Sequence, residues 1–293
     1  MEVWITYTFA AIILWTIVEL IDKFVVDFEI HDPIVATVIC GITTFLIFQM
    51  FALMFGNFSG LDLKIILISI FVGVLYNLST WFYYIGVQKE DLSTFIPLLS
   101  ISPLFVVPLA YVFFDEVFSK LTYFGIVLIV IGAILISFKK ASKSKLSSAL
   151  IFASYIAVLY AIRSVLIKYA TTLADLWALM FWIGFGGIIV SLFMYIVHTR
   201  KVEHGISKKG ILHLLISGLF TALGFLAGFF AIAKGPVTLV SALFNAQPLL
   251  VFFSVIVLGA LYPNVILERM DKQTMFKKFI AIVLITVGAL LII

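Results

Sequence analysis

Long apolar runs, interrupted at short intervals by charged and turn-forming residues, fill this chain from end to end. A helix rising 1.5 Å per residue needs about 20 apolar residues to cross a bilayer's hydrocarbon core. Ten runs fit that length: 3–26, 33–55, 64–86, 92–114, 119–138, 147–170, 175–197, 209–232, 237–260 and 276–293. The separators are polar or turn-forming, as in Asp27 to Pro33, Gln88 to Asp91, Lys139 to Lys145 and Lys234-Gly235-Pro236. The first run follows Met1-Glu2, with no positive segment before it and no small-residue cleavage pattern after it, so it reads as a first span rather than a leader. No linker is long enough to hold an extramembrane domain.

The chain also repeats itself. A shift of 145 residues lays Leu14-Trp15 and Lys23 on Leu159-Tyr160 and Lys168, Gly73 on Gly218, Lys89 on Lys234, and Pro103 on Pro248. Near the ends of the halves the shift grows to 156, where Gly132-Ala133 falls on Gly288-Ala289, so 11 residues are inserted before the last span, Glu268 to Lys272 among them. Each half, 1–138 and 147–293, then holds five spans. An odd number makes the second half enter the membrane from the opposite side. The expected fold is therefore an all-α membrane protein with ten transmembrane helices arranged as two inverted five-helix repeats, an architecture suited to alternating access around a site at mid-membrane.

Composition agrees with a lipid environment. The 293 residues are 64% hydrophobic and only 12% charged, with thirty phenylalanines, and the mean hydropathy is +1.25. Soluble domains carry about a quarter charged residues. The net charge of +4 sits in the loops rather than on a basic face, which argues against a nucleic-acid partner. Cys40 is the sole cysteine and lies in an apolar run, so no disulfide or cysteine-based metal site is available.

Trp15 followed by Lys23, the stretch from Tyr84-Ile85-Gly86 through Pro103 to Asp115-Glu116, and the glycines of the fifth span, Gly125 to Gly132, form an ordered set of landmarks. In these the chain resembles the EamA-type transporters of the drug/metabolite transporter superfamily, over nearly its whole length. The resemblance implies ten helices in two repeats and movement of small metabolites, commonly amino acids or related compounds. The second half departs from the pattern at Leu261, which stands where the counterpart of Glu116 would fall, and in its charged insertion.

Polar groups inside spans mark where a substrate could sit, because they are tolerated in lipid only with internal partners or along a cavity. Ser100 and Pro103 in the fourth span match Asn245 and Pro248 in the ninth, beside Gln247. Each proline frees a carbonyl four residues back and can kink its helix. The third span adds Tyr76, Thr80 and Tyr84 as a stripe, with Asn77 and Trp81 beside it. Trp15 and its mate Tyr160 complete the aromatic set. Glu19 and Arg163 are the deepest charges, each costing about 2.5–3.5 kcal/mol at a helix centre. They are expected to approach each other, either as a structural pair or as a site for a zwitterionic or charged substrate or a coupling proton. Lys23 has a simpler expectation, an i,i+4 pair with Glu19 or a reach toward the headgroups.

Several classes are disfavoured. No metal-binding or nucleophile motif lies in a span, the four histidines (His31, His198, His204, His213) are scattered in or near loops, and no phosphate-binding loop is present. The expectation is a carrier without cofactor, not an enzyme, in the plasma membrane. It would act on a small-molecule substrate, be driven by a proton gradient or by exchange, and work as a monomer or homodimer. Small-metabolite efflux is the first reading, broad drug efflux the second, and a channel a more distant third. The loops after the odd-numbered spans hold 13 Lys and Arg against 3 on the other side. By the positive-inside rule that leaves both termini outside, whereas the resemblance implies cytoplasmic termini.

Overall fold

A computed structural model describes residues 2–137, 148–198, 207–261 and 272–291. Among these there is no strand. Twelve helical segments follow one another: α1 (Val3–Phe28), α2 (Pro33–Phe55), α3 (Leu63–Lys89), α4 (Leu92–Leu99), α5 (Pro103–Phe114), α6 (Lys120–Ser137), α7 (Ser148–Thr171), α8 (Leu176–His198), α9 (Lys208–Lys234), α10 (Val237–Phe244), α11 (Gln247–Leu261) and α12 (Lys272–Leu290). Two neighbouring pairs, α4 with α5 and α10 with α11, are single rods broken in the middle, which leaves ten rods. Seven of the rods are long and apolar enough to cross a membrane, namely α2, α3, α4–α5, α7, α8, α9 and α10–α11. The protein is a multi-pass membrane protein. The expected boundaries fall within a few residues of those observed. The basic run Lys139 to Lys145, His204 and the insertion Glu268 to Asp271 lie outside the described residues.

Local chemistry explains where the helices start and stop. Asp32 caps α2, its Oδ1 accepting from the amides of Ile34 at 2.8 Å and Val35 at 3.3 Å, with Pro33 at the first helical position. Asp62 caps α3 and Ser207 caps α9 in the same way. Within the spans, hydroxyls satisfy themselves on the carbonyl one turn back, as Thr16 does on Ile12 at 2.8 Å and Ser79 on Leu75 at 2.7 Å. Large apolar side chains such as Leu53, Phe193 and Ile196 cover the outside, as a lipid-facing surface requires.

The proline-bearing spans, expected to be kinked, are broken outright. Helix α4 ends at Leu99, and Ser100, Ile101 and Ser102 donate their amides to Pro97, Leu98 and Leu99 as successive i→i+3 bonds before Pro103 starts α5. Asn245 and Ala246 do the same on Ala242 and Leu243 before α11 begins at Gln247-Pro248. A proline ring cannot donate and clashes with the carbonyl of the preceding turn, so both rods break where the sequence places Pro103 and Pro248.

The packing partners also obey the 145-residue offset. Helix α1 lies along α9 while α3 lies along α7; α2 packs on α8 and α6 on α12; α5 meets α10 while α4 meets α11. Lys23 donates to the carbonyls of Val87 (2.9 Å) and Glu90 (3.1 Å) at the end of α3, and Lys168 donates to Ile232 (3.1 Å) and Gly235 (2.7 Å) at the end of α9. Each ammonium caps orphan carbonyls at the negative end of a helix dipole. Lys23 therefore does not pair with Glu19; its carboxylate partner is Asp27, at 3.1 Å. Where α6 meets α12, a Cβ on Gly132 would lie 2.7 Å from the Ala281 carbonyl, and one on Gly288 would lie 2.5 Å from that of Gly125.

Overpacking of this kind costs about 1–3 kcal/mol. Gly132→Val and Gly288→Val are each expected to lower the melting temperature of the detergent-purified protein, and by similar amounts. A variant that melts like the wild type would show that the two helices are free to separate.

Candidate functional site

Between α1, α3, α7, α9 and the two broken rods lies a cavity with about 930 Å³ of empty volume, open solvent at its mouth included. The helix breaks contribute Leu99 and Ser102 from one rod and Phe244, Asn245 and Gln247 from the other. Helix α1 contributes Trp15, Val18, Glu19 and Asp22, spaced one turn apart on one face. The Trp15 indole lies against Gly224, where a Cβ would come within 2.6 Å of its ring, and packs edge-on to Phe225 at 5.4 Å.

Eight of the residues singled out in the sequence line this cavity: Trp15, Glu19, Thr80, Tyr84, Tyr160, Arg163, Asn245 and Gln247. The other six stand outside its lining. Tyr76 is buried and supports Arg163, whose guanidinium carbon sits 3.8 Å from the Tyr76 ring centroid. Trp81 is rotated by about 100° from the lining residue Thr80, and Asn77 turns towards α8. Asn77 donates to the Gly187 carbonyl at 2.9 Å and to the Ser191 hydroxyl at 2.6 Å, fastening α3 to α8. Trp81 stacks on Phe82. Ser100, Pro103 and Pro248 shape the breaks from buried positions without reaching the cavity.

Glu19 and Arg163 share the cavity but do not pair. Among the described residues no Lys, Arg or His nitrogen lies within ion-pair distance of Glu19. Its Oε1 accepts from Gln247 Nε2 at 2.8 Å, and its Oε2 is buried without a protein partner. Arg163 is held by aromatic faces and its Nε has no partner either. The approach expected from the repeat thus stops short, because Tyr76 and Gln247 each claim one member. Of the eleven buried side-chain atoms without partners among the described residues, six belong to cavity-lining residues: Trp15, Glu19, Tyr83, Tyr160, Arg163 and Asn245.

Asp22, one turn beyond Glu19 on α1, finds its partners on two other helices. Tyr84 donates to its Oδ1 at 3.0 Å and Ser217 at 2.5 Å, joining α1 to α3 and α9. Glu116, from the turn before α6, accepts the amides of Val237 at 2.8 Å and Thr238 at 3.0 Å and so caps α10. Two histidines taken from the sequence as loop residues bridge to carboxylates: His213 lies 2.7 Å from Glu29 and His198 2.5 Å from Asp32.

A many-helix membrane bundle around an open cavity lined by acidic, basic and aromatic side chains defines an integral membrane protein. Residues 2–138 match the model of the EamA-like transporter family, and this half of the chain belongs to that family, within the drug/metabolite transporter superfamily. An uncharacterized protein of Methanocaldococcus jannaschii is 30% identical over 106 residues, which is 36% of this chain and 77% of that one, so the relative is about half this chain's length. A protein of known crystal structure aligns over 98% of this chain and 94% of its own at a TM-score of 0.75 and 15% identity, a likeness of fold alone.

Because Asn77 faces α8, Asn77→Ala is expected to lower stability by about 1–3 kcal/mol, the cost of lost buried hydrogen bonds, while solute counterflow per folded molecule stays within twofold of wild type. A collapse of counterflow in folded protein would return Asn77 to the site.

Proposed function

We propose that the protein is a secondary-active carrier that exports a small zwitterionic, amino-acid-like metabolite across the plasma membrane by alternating access. The observation that carries this reading is that Glu19 and Arg163 line one cavity and, among the described residues, neither has an ion-pair partner. Buried charges left without partners are costly. An ammonium at the Glu19 end and a carboxylate at the Arg163 end would satisfy both, with the bidentate guanidinium suited to the carboxylate. Trp15, Tyr160, Phe225 and Phe244 would cover the apolar body of the solute.

In this reading the two halves are inverted repeats that rock about the cavity. The offset-related contacts of Lys23 and Lys168, the swapped packing partners and a relative of half length all support it. The membership of residues 2–138 in a transporter family supports the carrier role. The aromatic lining also favours a second reading, in which the same cavity takes varied amphipathic compounds.

Two experiments test these points. In proteoliposomes, Glu19→Gln and Arg163→Gln are each expected to reduce saturable counterflow of a tritiated amino-acid mixture at least tenfold; unchanged counterflow in both would remove the charged site from the mechanism. In a Cys40→Ala background, Lys89→Cys and Lys234→Cys stand at equivalent, exposed positions of the two halves. An impermeant maleimide should label one from outside the cell and the other only after permeabilisation. Labelling of both from the same side would mean that the halves run parallel.

A further inference from the structure

The cavity lining holds two acidic side chains and one basic one. Glu19 and Asp22 are both more than nine-tenths buried, lie on one face of α1 and line the cavity. Arg163 is the one guanidinium or ammonium among the lining residues. Neither carboxylate has a Lys, Arg or His nitrogen within ion-pair distance among the described residues. Lys23, next in sequence to Asp22, is turned away to the end of α3 and to Asp27.

Asp22 is a prepared acceptor. Two hydroxyls, from Tyr84 and Ser217, donate to the same oxygen, Oδ1, and fix the carboxylate from α3 and α9. The other ionisable groups near it are Glu19 on the same helix, Tyr83, which also lines the cavity, and the Cys40 thiol of α2, none of them a cation. Independently of Asp22, Arg163 and Glu19 line the same cavity, and each keeps a buried polar atom without a protein partner, Nε and Oε2. A ligand that satisfied all three groups would carry two cationic groups and one anionic group.

We infer that the preferred solute is a diamino monocarboxylic acid, of the lysine and ornithine kind, with its carboxylate on Arg163 and its two ammonium groups shared between Glu19 and Asp22. Asp22 is then the residue that selects the second amine. This rests on the zwitterion reading above and narrows it. A neutral amino acid offers no second ammonium to draw Asp22 into an ion pair, so that carboxyl would stay unpaired or take up a proton, and the lost charge-assisted hydrogen bond supplies the discrimination.

The test is ligand-dependent thermal stabilisation of the purified full-length protein with lysine, ornithine and norleucine, the last matching lysine in length without its side-chain amine. Lysine and ornithine are expected to half-saturate the shift at concentrations at least tenfold below norleucine. Asp22→Asn is expected to shrink that gap to less than threefold. Should the variant fail to fold, Ser217→Ala, which removes one of Asp22's two donors, is expected to narrow the same gap. Equal responses to lysine and norleucine in the wild type overturn the diamino inference and leave the zwitterion reading standing. Stabilisation by none of the three overturns both. A preference for lysine that survives Asp22→Asn removes Asp22 from the selection.

Discussion

A polar group in hydrocarbon must find its partner within the protein, and this constraint organises the whole chain. The spans meet it locally wherever they can, with hydroxyls bonded to the carbonyl one turn back and aspartates capping helix starts. Where local solutions run out, the partner comes from another helix: Lys23 and Lys168 close the ends of α3 and α9, and Asn77 ties α3 to α8. Most of the buried atoms left unmatched surround one cavity. In a medium without water, that concentration is costly unless something else visits.

The breaks in the two proline rods belong to the same economy of hydrogen bonds. A continuous helix hides its carbonyls and amides, whereas each break substitutes a tight turn and brings Ser102, Asn245 and Gln247 to the cavity wall. Gln247 shows how much is gained: its amide holds one oxygen of Glu19 and leaves the other buried without a protein partner. Aromatic faces do comparable work for Arg163, which is supported by Tyr76 without being neutralised.

Much of this was readable in the sequence. The number of rods and their approximate ends followed from run length, and the positions of the breaks from Pro103 and Pro248. Eight of the fourteen candidate residues line the cavity because depth and residue type are sequence properties. Helix rotation is harder to read: Trp81 shares the depth of Thr80, but a turn of about 100° sends it elsewhere, and Asn77 turns towards α8. Contacts between distant segments were out of reach altogether. Nothing near Asp22 in sequence announces Tyr84 or Ser217, and nothing near Lys23 announces the end of α3.

The cap that Glu116 places on α10 has a wider consequence. Residue 261, its counterpart at the 145-residue offset, is leucine and has no carboxylate to offer. One broken rod is thus moored by a charged tether that the equivalent residue of the other half cannot supply. Any swing of α10 away from the Asp115-Glu116 turn must give up two hydrogen bonds to a carboxylate, so this side chain acts as a latch on one wall of the cavity.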